Sequence, residues 1–161
     1  MKILLLLVLI PTLVIASESP DSFPGIKWGD SPLGEMVLLD TRGDFTFYKR
    51  IEFNTLQYVN VYNPIYGFCK NQLCEVYGQV KGEKDFLVMQ QFLLTKYGRP
   101  SFYDPYHWFW LNETDIMITY DEKSETGYFL YHYNPMFLEI EKERIEKIKL
   151  LKAAKKQKKG K

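Results

Sequence analysis

The sequence predicts an α+β fold in which an antiparallel sheet carries helices packed on one face. Three observations carry that reading. Residues 45–53 alternate, with Phe45, Phe47, Ile51 and Phe53 on one parity and Thr46, Tyr48, Arg50 and Glu52 on the other, the period of a strand with one buried face. Residues 84–97 switch to a helical period: Phe86, Met89, Leu93 and Tyr97 form one stripe, and Gly98-Arg99-Pro100 is a glycine-then-proline stop. Residues 107–111, 115–120 and 128–133 then return to the strand pattern, joined by turns at Asn112-Glu113 and 121–127.

The remaining elements follow from local signals. Phe23, Ile26 and Trp28 offer apolar bulk between backbone-shaping Pro24, Gly25 and Gly29. Ser31-Pro32 reads as an N-cap and first helical residue, predicting a short helix to about Asp40 with Leu33, Met36 and Val37 inward. A strand is expected at 58–62, continuing through a cysteine hairpin to Val80. The two helices preceding strand groups suggest a duplicated α-β-β-β unit, although no residue-level repeat accompanies it. Asn134-Pro135 opens a charged C-terminal helix to about Leu151. Its early glutamates (Glu139, Glu141, Glu143) and late lysines (Lys147, Lys149, Lys152) complement the helix dipole, and Glu143 and Lys147 form a favourable i,i+4 pair. The expected organisation is a leader over 1–16, one α+β domain over 17–135, a helix over 136–151 and a lysine-rich flexible tail over 152–161.

The N-terminus predicts export. Lys2 precedes an unbroken aliphatic run from Ile3 to Ile10, Pro11 interrupts it, and Ala16 supplies a small residue for cleavage. The segment is shorter than the roughly 20 apolar residues that cross a bilayer, so an uncleaved anchor is the lesser alternative. No cysteine follows the run to accept a lipid. The mature chain is expected to be soluble, in a periplasm or outside a cell.

An oxidising compartment lets Cys69 and Cys74 pair. Tyr66-Gly67-Phe68-Cys69 and Cys74-Glu75-Val76-Tyr77 both read as strand, and a turn centred on Asn71 and Gln72 would set the cysteines opposite each other. A catalytic dithiol is disfavoured by the four intervening residues, and zinc by the lack of ligand spacing with His107 and His132. No metal or cofactor motif is present.

Charge narrows the partners. The 161 residues carry a net charge of +1, with 46% hydrophobic and 16% aromatic residues, enough for one filled core and too apolar for disorder. Lys152, Lys155, Lys156, Lys158, Lys159 and Lys161 leave an acidic body behind them, which argues against a nucleic-acid partner. Those six lysines could make weak contact with an anionic membrane, although a solvated tail is the plainer expectation.

Three motifs carry a resemblance: Phe23-x-Gly25-Ile26-x-Trp28-Gly29, Tyr66-x-Phe68 with Leu73 and Val76 across a hairpin, and Leu93-x-x-x-Tyr97-Gly98-x-Pro100. Together they resemble small exported bacterial proteins of unknown function. The helix-on-sheet layout is also similar to the outer-membrane assembly lipoprotein and β-lactamase inhibitor group, from which this chain departs by lacking a lipidated cysteine. The resemblance implies export, and no catalytic residue carries over from it.

Phe102-Tyr103-Asp104-Pro105-Tyr106-His107-Trp108-Phe109-Trp110 is the densest aromatic run, and strand alternation cannot bury every ring. Trp108 and Trp110 read as core. Tyr103, Tyr106 and His107 are the candidate border of a protein-binding surface. His107 and His132 are the only groups that ordinarily titrate near neutrality, and Asp104 or Asp115 could serve His107 in an acid–base site. The expected function is a non-enzymatic, exported protein-binding or envelope-associated domain; the alternative is a small secreted hydrolase using His107 with a nearby carboxylate.

Overall fold

A computed structural model describes residues 20–51, 55–56 and 59–159, with side chains to Lys152. The expected leader and Phe53 lie outside the described residues. In chain order the elements are β1 (Ser22–Phe23), β2 (Ile26–Lys27), β3 (Met36–Arg42), β4 (Phe45–Arg50), β5 (Thr55–Leu56), β6 (Val59–Asn60), β7 (Tyr62–Cys69), β8 (Gln72–Lys81) and α1 (Glu83–Tyr97). There follow β9 (Phe102–Tyr103), β10 (His107–Trp110), β11 (Thr114–Asp121), β12 (Thr126–Tyr133) and α2 (Asn134–Lys159).

The fold is α+β, built on an eight-stranded sheet in the order β3-β4-β7-β8-β12-β11-β10-β9, antiparallel at every pairing. Two four-stranded meanders meet edge to edge where β8 pairs with β12, and each is followed by a helix. The repeating unit is therefore β-β-β-β-α, a correction to the expected α-β-β-β. The difference arises at residues 31–40, where β3 replaces the expected helix. The Ser31-Pro32 start signal is spent on a turn in which Met36 N–H donates to Leu33 C=O at 3.0 Å. Val37-Leu38-Leu39 then pairs with β4, and the partner strand overrides the local signal. A bulge between Leu38 and Asp40 interrupts that pairing.

The core lies on the sheet face under α1. Tyr66, Phe68, Val76, Val80, Ile116, Ile118, Phe129 and Tyr131 point into it, and Phe86, Met89, Leu93 and Tyr97 of α1 cover them. Phe23 and Ile26 close the same face, with Phe23 edge-on to Tyr66 and Tyr131. The β1–β2 turn requires Gly25, whose φ of +83° only glycine adopts freely. On β4 the buried parity is the one carrying Tyr48, which meets Phe68 edge-on. Phe45 and Phe47 therefore face the opposite side, the reverse of the parity expected from their hydrophobicity.

The β7–β8 hairpin turns on Lys70 and Asn71, both at positive φ (50° and 67°), so the turn has two residues, centred one position earlier than expected. Cys69 consequently pairs in register with Gln72. Between Phe68↔Leu73 and Gly67↔Glu75 the ladder slips by one, leaving Cys74 as the extra residue. The bulge brings its sulfur back to Cys69, with the Cα atoms 5.7 Å apart and both residues fully buried in a disulfide.

Helix α2 begins against the sheet face opposite α1. Phe137 stacks on His132 and meets Phe45, and Glu143 pairs with Lys70 at the hairpin tip, an ion pair that raises the Lys70 pKa. The helix continues to Lys159 instead of ending near Leu151. Lysine, alanine and glutamine are good helix formers, and nothing in 152–159 breaks the propagation. From Glu141 to Lys152 every residue is exposed. Among the described residues no helix is long and apolar enough to cross a membrane.

Candidate binding groove

The second meander curls its outer strands toward α1 and leaves a groove between the helix and β9–β10. The floor and helical wall come from Phe86, Leu87, Gln90 and Leu94; the facing wall comes from Tyr103, Pro105, Tyr106, Trp108 and Tyr120. Two adjoining recesses measure about 250 and 530 Å³, and Gln90 and Pro105 line both. Along α1 from Glu83 to Leu94 the groove runs on the order of 16 Å, the reach of about five residues of extended chain.

Alternation places the aromatic wall. Trp108 pairs with Tyr103 on β9 and with Ile118 on β11, so all three share the α1 face. Trp110, one alternate position on, is buried and donates its indole N–H to Gly98 C=O at 2.9 Å, tying β10 to the end of α1. Trp108 meets both Tyr103 and Trp110 in tilted ring contacts and remains only half-buried. The expected core role thus holds fully for Trp110, while Trp108 divides its surface between core and groove.

Gln90 is the residue that sequence reasoning missed. It is 8% exposed and lines both recesses. Its aim into the groove gives an entering molecule one donor and one acceptor. The signal lay in its spacing, four residues after Phe86 and three before Leu93, on the buried stripe of α1.

The two ends of the groove differ in charge. Glu83, Glu122 and Glu125 line one end. Glu122 accepts the Tyr106 hydroxyl at 2.9 Å and raises that phenol's pKa, and burial followed by the surrounding carboxylates raises that of Tyr120. At the other end Arg99 donates to the Tyr103 hydroxyl at 3.1 Å and lies over its ring at 5.6 Å.

The structure brings together two of the three candidate surface residues, Tyr103 and Tyr106, and sets the third apart. His107 pairs with Thr119 on the face opposite α1. Its Nδ1 lies 2.9 Å from Asp104 Oδ1, and the same carboxylate accepts the backbone N–H groups of Tyr106 and His107, each at 2.8 Å. These bonds, led by that from Tyr106, hold the Asp104 pKa below its ordinary value. The carboxylate closes the β9–β10 turn. Asp115 lies far along β11, opposite His132 on β12, where His132 Nδ1 is 3.7 Å from Glu75. Among the described residues no group of three or more ligating side chains is placed to share a metal ion. Thr114, after the Asn112-Glu113 turn, is buried, its hydroxyl donating to Pro20 C=O at 3.0 Å.

No family model, curated protein or solved structure matches this chain.

Proposed function

We propose that the chain is an exported, non-enzymatic binding domain that holds an extended segment of another envelope or extracellular protein in the groove beside α1. The observation that carries this reading is an aromatic-walled, open-ended channel beside α1 with the Gln90 side chain at its floor. An extended peptide supplies what the channel lacks: a backbone C=O and N–H for the amide, and apolar side chains for Trp108 and Tyr103. The acidic end formed by Glu83, Glu122 and Glu125 selects a basic residue at one terminus of the segment. Membership among small exported bacterial proteins, suggested by the glycine-tryptophan and hairpin motifs, is part of the same reading.

The hydrolase alternative draws on the Asp104–His107 contact. Against it, His107 is half-exposed on the opposite face and lines none of the groove recesses, and Asp104 is occupied by the turn's N–H groups.

The test is selection from a library of displayed peptides, followed by titration of the enriched sequences against variants. Enriched peptides should carry apolar residues flanked by Lys or Arg. Gln90→Leu should weaken them by roughly ten-fold or more, the effect of losing hydrogen bonds at a buried site. Leu111→Ala, away from the groove, should leave affinity unchanged. Equal affinity for wild type and Gln90→Leu would remove the proposal, as would enrichment that survives combined Tyr103→Ala and Trp108→Ala replacement.

A further inference from the structure

The groove beside α1 extends past its two central recesses, and its ends carry opposite charge. A third recess, of about 390 Å³, shares Tyr103 and Trp108 with the middle one, as the middle one shares Gln90 and Pro105 with the first. The three therefore form one continuous line. At the first end Glu83, Glu122 and Glu125 are exposed, and no lysine or arginine is among the described residues that line that recess. Their charges converge: after burial, the carboxylates of Glu125, Glu83, Glu122 and Asp121 raise the Tyr120 pKa. At the far end the charged lining residue is Arg99. Its Nη2 donates to the Tyr103 hydroxyl at 3.1 Å and its guanidinium lies 5.6 Å over the same ring, a contact that occupies one of five N–H donors. Among the described residues no carboxylate forms an ion pair with Arg99. Asp104, in the middle recess, is engaged instead by the backbone N–H groups of Tyr106 and His107, each at 2.8 Å.

We infer that the groove reads an ordered pair of charges on its peptide, a cation at the Glu83, Glu122 and Glu125 end and a carboxylate on Arg99, about five residues apart. The inference rests on the peptide reading of the groove and adds to it an anionic determinant and a spacing. A guanidinium laid on an aromatic ring is held ready for the two-pronged grip that a carboxylate accepts, from an acidic side chain or from a chain terminus. A peptide basic at both ends meets Arg99 with like charge, and one acidic at both ends meets the glutamates, so the arrangement rejects as well as attracts.

The test selects one displayed library of random decapeptides in parallel on the full chain, on Arg99→Glu, and on the joint variant Glu122→Lys and Glu125→Lys. All three replaced residues are exposed, and matching melting temperatures verify the folds. Peptides enriched on the wild type should pair Lys or Arg with Asp or Glu at a separation of about four to six residues. Arg99→Glu should exchange the acidic partner for a second basic residue, and the glutamate variant should exchange the basic partner for a second acid. Loss of structure alone would weaken all peptides without exchanging their charges. In titrations of synthetic copies, an acidic side chain or a free C-terminus at the Arg99 position should bind roughly ten-fold tighter than a neutral, amidated copy, and the difference should shrink at high salt. Wild-type peptides that carry a basic residue but no acidic partner, or the same peptides enriched on Arg99→Glu, would overturn this inference and leave the groove reading standing. Enrichment of no peptide on the wild type would overturn both.

Discussion

Phe86 of α1 lies directly on Gly127 of β12, so close that a methyl group on the glycine would stand 2.6 Å from the ring and 2.6 Å from Val80. This contact sets how near α1 approaches the junction of the two meanders. Gly127→Ala should therefore destabilise the domain by about 1–3 kcal/mol, the usual penalty of overpacking. Gly34→Ala, with open space around it, should stay within about 0.5 kcal/mol of wild type. Urea denaturation of the two variants measures both.

Asp104 gives a prediction at low pH. Its folded pKa lies below the ordinary 3.8, so whatever order it lends the β9–β10 turn is full above that value and is lost as pH falls through the folded pKa. The Tyr106 and His107 amide resonances should titrate together with a midpoint below 3.8. Asp104→Asn should abolish that shared titration, and independent midpoints would show that the carboxylate does not join them.

Tyr66 gives one at high pH. Burial pushes its phenol up to about 12, and Tyr131 and Tyr97 are raised for the same reason. The unfolded chain ionises near 10 while the folded phenol stays neutral, so stability present below pH 10 declines as pH rises toward 12. For Tyr66 the loss is on the order of 2 kcal/mol. Tyr66→Phe should flatten the fall in chemical stability between pH 10 and 12, using those same two values. An unchanged slope would assign the alkaline loss elsewhere.

The Cys69–Cys74 bond closes a short loop. Reduction, or joint replacement by alanine, should lower stability by roughly 2 kcal/mol while the hairpin keeps its register, because Lys70 and Asn71 fix the turn without the sulfurs. Retention of the Phe68–Leu73 cross-strand contacts by NMR checks the second half.

Much of this fold was readable from local pattern. The helix expected at 84–97 is α1 (Glu83–Tyr97), its stripe is the buried one, and the three strands after it fall within two residues of β10, β11 and β12. Where the reading departed from the structure, a distant partner decided the outcome. Ser31-Pro32 is a sound helix start, yet Val37-Leu38-Leu39 found β4. The parity of β4 cannot be read from Phe45 and Phe47, because Phe45 is covered by a helix some ninety residues later. The β8–β12 pairing that joins the meanders leaves no local mark. In the groove, Tyr103 and Tyr106 stood out by chemistry, His107 followed them by adjacency, and alternation sent it to the other face. Gln90 carries no motif; only its place on an otherwise apolar stripe distinguishes it.

The slip at Leu39 bears on how the sheet ends. β9 is two residues long, too short to template another strand, whereas β3 offers seven residues with Val37, Leu38 and Leu39 outward. An irregular outermost strand presents its amides out of step with any straight chain that tries to add to it. The kink therefore acts as a guard against fibrillar growth, sparing an exposed aliphatic border from recruiting its own kind.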